Sequence, residues 1–283
     1  MTNKKKAILT VVGVIAILLA IHFIYDHFTY VSTDNAQVGA HMTMLSSRVN
    51  GTIKTVLVEE NQSVKAGTVL AQVDTSDYNN ASDAAEAQVA SLQARFHEAE
   101  TNLKRSNELF KTQAISKERY DSAVAGYKEV SARIKAAQAQ LEQAQLNVSY
   151  TQLKAPTDGT IARKSVEPGQ FVPAGQPLFG FIEGSERWIT ANLKETEIEK
   201  VTPGRKAEVD IDAIPGKTFQ GEVESLGPST GAVFSLLPPD NATGNFTKVV
   251  QRVPVRVKLM NVSAQDVIQL KAGLSAVVAI RIR

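Results

Sequence analysis

GTIKTVLVEENQSVKAGTVL at residues 51–70 and GTIARKSVEPGQFVPAGQPL at residues 159–178 are one short sequence written twice, at a constant offset of 108. Gly51-Thr52-Ile53 recurs as Gly159-Thr160-Ile161, Val58-Glu59 as Val166-Glu167, Gln62 as Gln170, Val64 as Val172, Ala66-Gly67 as Ala174-Gly175 and Leu70 as Leu178. Ten of the twenty positions match without a gap, where unrelated segments of average composition match at roughly one in fifteen. Each copy alternates apolar residues with turn glycines, the pattern of short strands joined by tight turns. Alone, each copy exposes an apolar face, so the two are expected to clasp into one small β-sandwich.

The insert from Ser76 to Gln152 contains one glycine and no proline, and all ten prolines of the chain lie at or after Pro156. Its second half spaces Tyr120, Ala123, Tyr127, Val130, Ile134, Ala137, Leu141, Ala144 and Val148 by alternating threes and fours, a heptad seam. A less regular series runs through Ala85, Val89, Leu92, Phe96, Ala99, Leu103 and Phe110, with Ser106 at one seam position. The break falls at Thr112-Gln113-Ala114-Ile115, where Ser116 can cap the next helix and Glu118 suits its first turn. Two arms of about 35 residues, roughly 50 Å each, then fold as an antiparallel hairpin. The competing arrangement, one long helix in a parallel dimer, leaves the two repeat copies far apart.

Lys4-Lys5-Lys6 precedes an apolar run over 7–25. At about 1.5 Å per residue this run reaches about 29 Å, enough to cross a bilayer core. A cleaved signal peptide is the alternative, but its apolar part is shorter and a small-residue cleavage site follows it. Here His22, Phe23, Tyr25, His27, Phe28 and Tyr30 are bulky. The expectation is an uncleaved single-pass anchor, with residues 1–6 cytoplasmic and the bulk of the chain on the far side. In a bacterium this means the inner membrane and the periplasm.

From Trp188 onward the alternation is strict, as in Ala207, Val209 and Ile211 or Val253, Val255, Val257 and Leu259, ending in Ala276, Val278, Ile280 and Ile282. Such half-buried antiparallel strands suggest a small β-barrel, which a strand around Asn35 to Met44 could complete. Lys194 to Lys200 reads as a short helix ended by Thr202-Pro203-Gly204. The fold class expected is mixed α and β and elongated: a transmembrane helix, a split β-sandwich, a coiled-coil hairpin and a small antiparallel barrel. Domain limits are set at 31–45 with 186–283 for the barrel, 46–75 with 153–185 for the sandwich and 76–152 for the hairpin.

Several function classes fall away. A net charge of +2 gives no basic field for nucleic acid. The absence of cysteine removes disulfides, thiolate nucleophiles and zinc-thiolate sites. His22, His27, His41 and His97 are scattered without metal spacing, and no phosphate-cradling glycine loop occurs. No enzyme activity and no cofactor is expected.

Paired Gly-Thr-Ile and Ala-Gly-x-x-Leu motifs around a helical hairpin resemble the split biotinyl/lipoyl domain of periplasmic adaptors, the membrane fusion proteins of the HlyD/EmrA-type family. In true carriers the turn joining the halves presents a modified lysine. Here the hairpin replaces that turn, and Lys65 corresponds to Pro173, so the module reads as scaffolding. Thr33-Asp34-Asn35-Ala36-Gln37-Val38, Phe234-Ser235-Leu236-Leu237-Pro238, Asn241-Ala242-Thr243-Gly244-Asn245 and Lys248 to Arg256 resemble EmrA-type adaptors, which serve major-facilitator drug exporters. The resemblance implies an inner-membrane exporter and a TolC-type outer-membrane channel as partners and a homo-oligomeric ring, a trimer or hexamer. An adaptor of an ATP-driven type I secretion system is the alternative. Arg105, Leu109 and Ser116, with Ala114 and Ile115 before the serine, follow the spacing of the tip motif by which adaptors meet the channel. Without that resemblance Leu109 reads as hairpin core, Ser116 as a cap and Arg105 as a solvated charge. Phe234, Leu236 and Leu237 lie in a long loop that packs on its own barrel or touches transporter or membrane.

Overall fold

The structure is a computed structural model that describes residues 29–234 and 249–282. The segment 7–25, expected as an anchor, lies outside the described residues. Among the described residues no helix is long and apolar enough to cross a membrane. The chain forms two compact units, one of residues 42–182 and one of the flanking segments up to 41 and from 183.

The first unit holds the repeat. One sheet has the order β2 (Met42–Ser46), β9 (Pro177–Glu183), β7 (Gly159–Lys164), β4 (Ser63–Val64); the other runs β6 (Gln152–Lys154), β5 (Val69–Val73), β3 (Gly51–Val56), β8 (Phe171–Val172). Moving by 108 residues carries β3 to β7, β4 to β8, β5 to β9 and β2 to β6, so each sheet is the image of the other. The short strands cross over: β4 pairs with β7 and β8 pairs with β3. Each half therefore completes the sheet of its twin.

The hydrogen bonds repeat at the same offset, which explains the polar positions shared by the two copies. Ile53 N–H donates to the Gln170 carbonyl (2.8 Å), and Ile161 N–H to that of Gln62 (3.0 Å). Gln62 Oε1 accepts from Glu59 N–H at 2.9 Å, and Gln170 Oε1 from Glu167 N–H at 3.2 Å, each side chain closing its own turn. Asp158 accepts from Ala66 N–H at 2.8 Å and Asn50 from Ala174 N–H at 2.6 Å. Ile53, Val58, Val64 and Leu70 share one core with Ile161, Val166, Val172 and Leu178.

The insert is a helical hairpin of α1 (Ser76–Lys111) and α2 (Lys117–Tyr150). All nine seam positions of the second arm are buried or half-buried, as are the seam residues of the first, Ser106 included. The arms run antiparallel: Phe110 stacks on Tyr120 with centroids 5.0 Å apart, and Phe96 meets Tyr127 at 5.2 Å. The root is bolted to the sandwich. Tyr78 hydroxyl donates to the Asn50 carbonyl (2.7 Å), Arg48 lies 5.0 Å over the Tyr150 ring, and Val73 N–H donates to the buried Thr151 (2.8 Å).

The second unit is a closed antiparallel barrel of β1 (Tyr30–Gly39), β10 (Trp188–Lys194), β13 (Arg252–Leu259), β12 (Thr218–Leu226), β11 (Lys206–Ile211) and β14 (Ser275–Arg281). Ile189, Val209, Val255, Val257, Val278 and Ile280 fill it. Thr33 to Ala36 form a β-bulge. There Thr33 hydroxyl donates to the Asn192 carbonyl (3.1 Å) and Asn192 Nδ2 to Asn35 Oδ1 (3.0 Å).

Two local expectations are corrected, and one helix is added. The single strand around Asn35 to Met44 is two strands: β1 stays in the barrel, whereas β2 pairs with β9 in the sandwich. Alternation fixes which face a residue takes, not which neighbour its strand joins. Residues 194–200 form no α-helix: β10 runs to Lys194 and a 3-10 turn covers Ile198–Lys200, as suits a short polar stretch without an apolar stripe. A further helix, α3 (Ala264–Gln269), starts at a capping box in which Ser263 and Asp266 bond reciprocally.

Asp266 is buried and accepts from Lys217 Nζ, and from Ser263 N–H at 3.0 Å and its hydroxyl at 2.7 Å. The bond from Lys217, and then those from Ser263, hold its carboxyl down at about 2. An unfolded aspartate titrates near 3.9, so the charged form favours folding above that pH. This contribution fades as pH falls from about 4 to about 2. Thermal scans from pH 7 to pH 2 are expected to show Asp266→Asn less stable than the parent at neutral pH, with the gap closing over that window. A constant gap overturns the assignment.

Candidate functional site

The hairpin tip is built by one chain reversal. Lys111 ends α1, Thr112 is its C-cap and Gln113 adopts φ 59°, the left-handed region. Gln113 N–H donates to the Phe110 carbonyl (3.0 Å) and Ala114 N–H to that of Leu109 (2.8 Å). These are the two bonds of a Schellman motif, with glutamine where glycine is usual. Ser116, extended at ψ 155°, then opens α2, its Oγ accepting from Arg119 N–H at 3.4 Å. A non-glycine residue in this backbone region costs about 1 kcal/mol. Gln113→Gly is therefore expected to stabilise the hairpin by about that amount, read as a higher denaturant midpoint; an unchanged or lower midpoint overturns it.

Arg105 and Leu109 lie one turn apart on α1, off the seam through Leu103, Ser106 and Phe110. Leu109 is 41% exposed, although an apolar side chain this close to the seam could have been core. Among the described residues Arg105 makes no ion pair or hydrogen bond. Ala114 and Ser116 are exposed and Ile115 is half-buried. Because Ser116 caps by accepting, its hydroxyl proton remains free to donate. The five residues thus bracket one braced turn, presenting a free guanidinium, an apolar side chain and a hydroxyl. Among the described residues no cluster of three metal-ligating side chains exists.

The second predicted contact, Phe234 with Leu236 and Leu237, is described only in part. Phe234 ends a 3-10 turn, Gly231–Phe234; Leu236 and Leu237 lie outside the described residues. The barrel register locates the strand ends that flank this segment. Tyr30 pairs with Arg281, and Leu226 with Val255 near the start of β13. The chain therefore leaves β12 after Leu226 and re-enters β13 at Arg252 at the barrel end where β1 begins. Sequence reading missed a cavity at the opposite end of the barrel, beside Trp188. Its walls come from strand ends and loops that no spacing connects.

Comparison with known proteins follows the same division. A family model described as the RND MFP alpha-helical hairpin domain matches residues 81–151, and one described as a CusB-like beta-barrel domain matches residues 187–233. The fatty acid resistance protein FarA of Neisseria gonorrhoeae is 33% identical over 88% of this chain and 75% of its own. The multidrug export protein EmrA of Haemophilus influenzae is 30% identical over 99% of this chain and 85% of its own. The membrane fusion protein Spr0693 of Streptococcus pneumoniae R6 shares the fold, with a TM-score of 0.64 over 89% of this chain and 97% of that one at 16% identity. A β-sandwich split by a helical hairpin and joined to a six-stranded barrel defines the class as an adaptor. The chain belongs to the membrane fusion proteins of the HlyD/EmrA type.

Proposed function

We propose that this chain is the periplasmic adaptor of a tripartite multidrug efflux pump, joining an inner-membrane exporter of the major-facilitator type to a TolC-type outer-membrane channel. Residues 7–25 would anchor it in the inner membrane with the N-terminus cytoplasmic. Several copies would form a ring, a trimer or hexamer, whose hairpins frame the conduit. Its contribution is geometry and sealing rather than bond chemistry, in keeping with a family of transport components.

The observation that carries this reading is the tip: Leu109 exposed, Arg105 unpaired and the Ser116 hydroxyl proton free, around a turn braced by the Schellman bonds and the Phe110–Tyr120 stack. Leu109 sets an apolar side chain beside the unpaired guanidinium, within one turn of it. In the proposed docking Arg105 donates to carbonyl or carboxylate oxygens on the channel, Leu109 fills a small apolar recess and Ser116 donates across the interface. The strand ends that flank residues 227–251, beside the start of β1, support contact of this segment with the exporter or the membrane.

Because the chain has no cysteine, a single cysteine placed at Thr112 gives a unique crosslinking position. Arg105→Asp is expected to abolish channel crosslinking and drug resistance, whereas Arg105→Lys retains part of both. Wild-type crosslinking and resistance in Arg105→Asp would overturn the docking. Co-purification of a nucleotide-binding subunit in place of a major-facilitator exporter would favour the secretion alternative.

A further inference from the structure

We infer that the barrel carries a binding site for a small aromatic organic anion, in the cavity beside Trp188. This half-open cavity of about 270 Å³ has an apolar side made by Trp188, Leu259, Val262 and Val267. Arg187, Arg256 and Lys258 also line it, with the carboxylates Glu186 and Glu224.

The balance of charges points to an anion. Arg256 is matched: its Nε lies 2.7 Å from Glu224 Oε2, an ion pair by distance although misaligned for a hydrogen bond. Glu186 lies 3.8 Å from His41, an ion pair only when the imidazole is protonated. Arg187 has no carboxylate partner. Its Nε donates to the Leu270 carbonyl (2.9 Å) and its Nη1 to those of Glu183 (2.7 Å) and Glu186 (2.8 Å), which leaves Nη2 without a protein acceptor. Partial burial lowers its pKa, as expected of a guanidinium drawn from water without a counter-ion. Lys258 is exposed and forms no ion pair or hydrogen bond among the described residues. Three cations and two carboxylates line the cavity, a net of one positive charge, and a partly desolvated cation binds an anion more strongly than a fully hydrated one.

The aromatic preference comes from Trp188. Arg256 lies 4.0 Å over its ring and the His41 ring 4.8 Å away. Its strand neighbour is Gly39, where a Cβ would fall 2.3 Å from Trp188 Nε1, so the absent side chain is what lets the indole lie down. A platform fixed in this way loses little freedom on binding. The volume suits a single ring bearing one carboxylate, with the ring against Trp188 and the valines and the charge toward Lys258 and Arg187.

Trp188 is the one tryptophan of the chain, so its fluorescence reports this cavity alone. Titration of the full-length protein with benzoate is expected to give a saturable change, and benzylammonium, similar in shape but opposite in charge, none. Lys258→Glu is expected to weaken benzoate binding at least about 10-fold, the size of one charge-assisted contact. Lys206→Glu, which places the same charge two strands away on the same barrel face, should leave it unchanged. Circular dichroism establishes that both variants fold. No saturable response, an equal response to benzylammonium, or equal weakening by Lys206→Glu would each overturn the site. The test does not depend on the adaptor reading.

Discussion

Ile161→Ala is expected to destabilise the 42–182 unit by about 3 kcal/mol, the usual cost of emptying a fully buried isoleucine site, and Ile53→Ala by a similar amount. The two residues are equivalent under the 108-residue offset and occupy one core, with exposures of 0% and 1%. Their main chains are stitched to the opposite half: Asn61 N–H donates to the Ile161 carbonyl at 2.7 Å, and Gly169 N–H to that of Ile53 at 2.8 Å. If the halves formed separate cores, the two losses would add. In the interlocked sandwich they share packing neighbours, so the double variant should depart from additivity by about 0.5 kcal/mol or more. Urea unfolding followed at the helical signal measures this, because the hairpin is rooted on the sandwich through Tyr78 and Tyr150. A single-variant loss below 1 kcal/mol, or strict additivity, would show that the halves are independent.

Gly159→Ala should cost about as much for a different reason. A Cβ there would fall 2.4 Å from the Ile182 carbonyl oxygen and 2.4 Å from Phe181 Cζ. Phe181 can rotate, but the carbonyl belongs to β9 and cannot move without disturbing the sheet. Overpacking against backbone belongs at the upper end of the usual range, about 3 kcal/mol. Gly175→Ala is the control. It has φ 88° and open space around its Cβ position, so it should lose only about 1 kcal/mol of backbone preference. Equal shifts in the unfolding midpoint for the two variants would refute the steric account of Gly159.

Both effects begin in residues that the repeat had already marked, yet the repeat did not disclose why they recur. Gln62 and Gln170 match because each side chain accepts from a main-chain N–H three residues back. Asn50 and Asp158, just outside the matched stretch, are equivalent to each other without being identical, each accepting from a main-chain N–H of the opposite half. The tip motif was visible as spacing. That Leu109 is exposed was not, since a leucine beside Phe110 could have turned either way. Ser263 to Asp266 carried a capping-box signal that went unread, and the cavity at Trp188 offered no signal at all.

What the sequence determined by itself is whatever depends on near neighbours in the chain. The heptad seam, the break before Ser116, the cap and the inward residues of each strand follow from periods of 3.5 and 2 and from local hydrogen bonding. What the tertiary structure decided is partnership: β4 and β8 exchanged between sheets, β2 assigned to the sandwich, and Arg187 held by three carbonyls with no ion pair among the described residues. An alternating pattern states which face must be buried, and many strand pairings satisfy it equally. The choice among them is made by the packing of both halves at once.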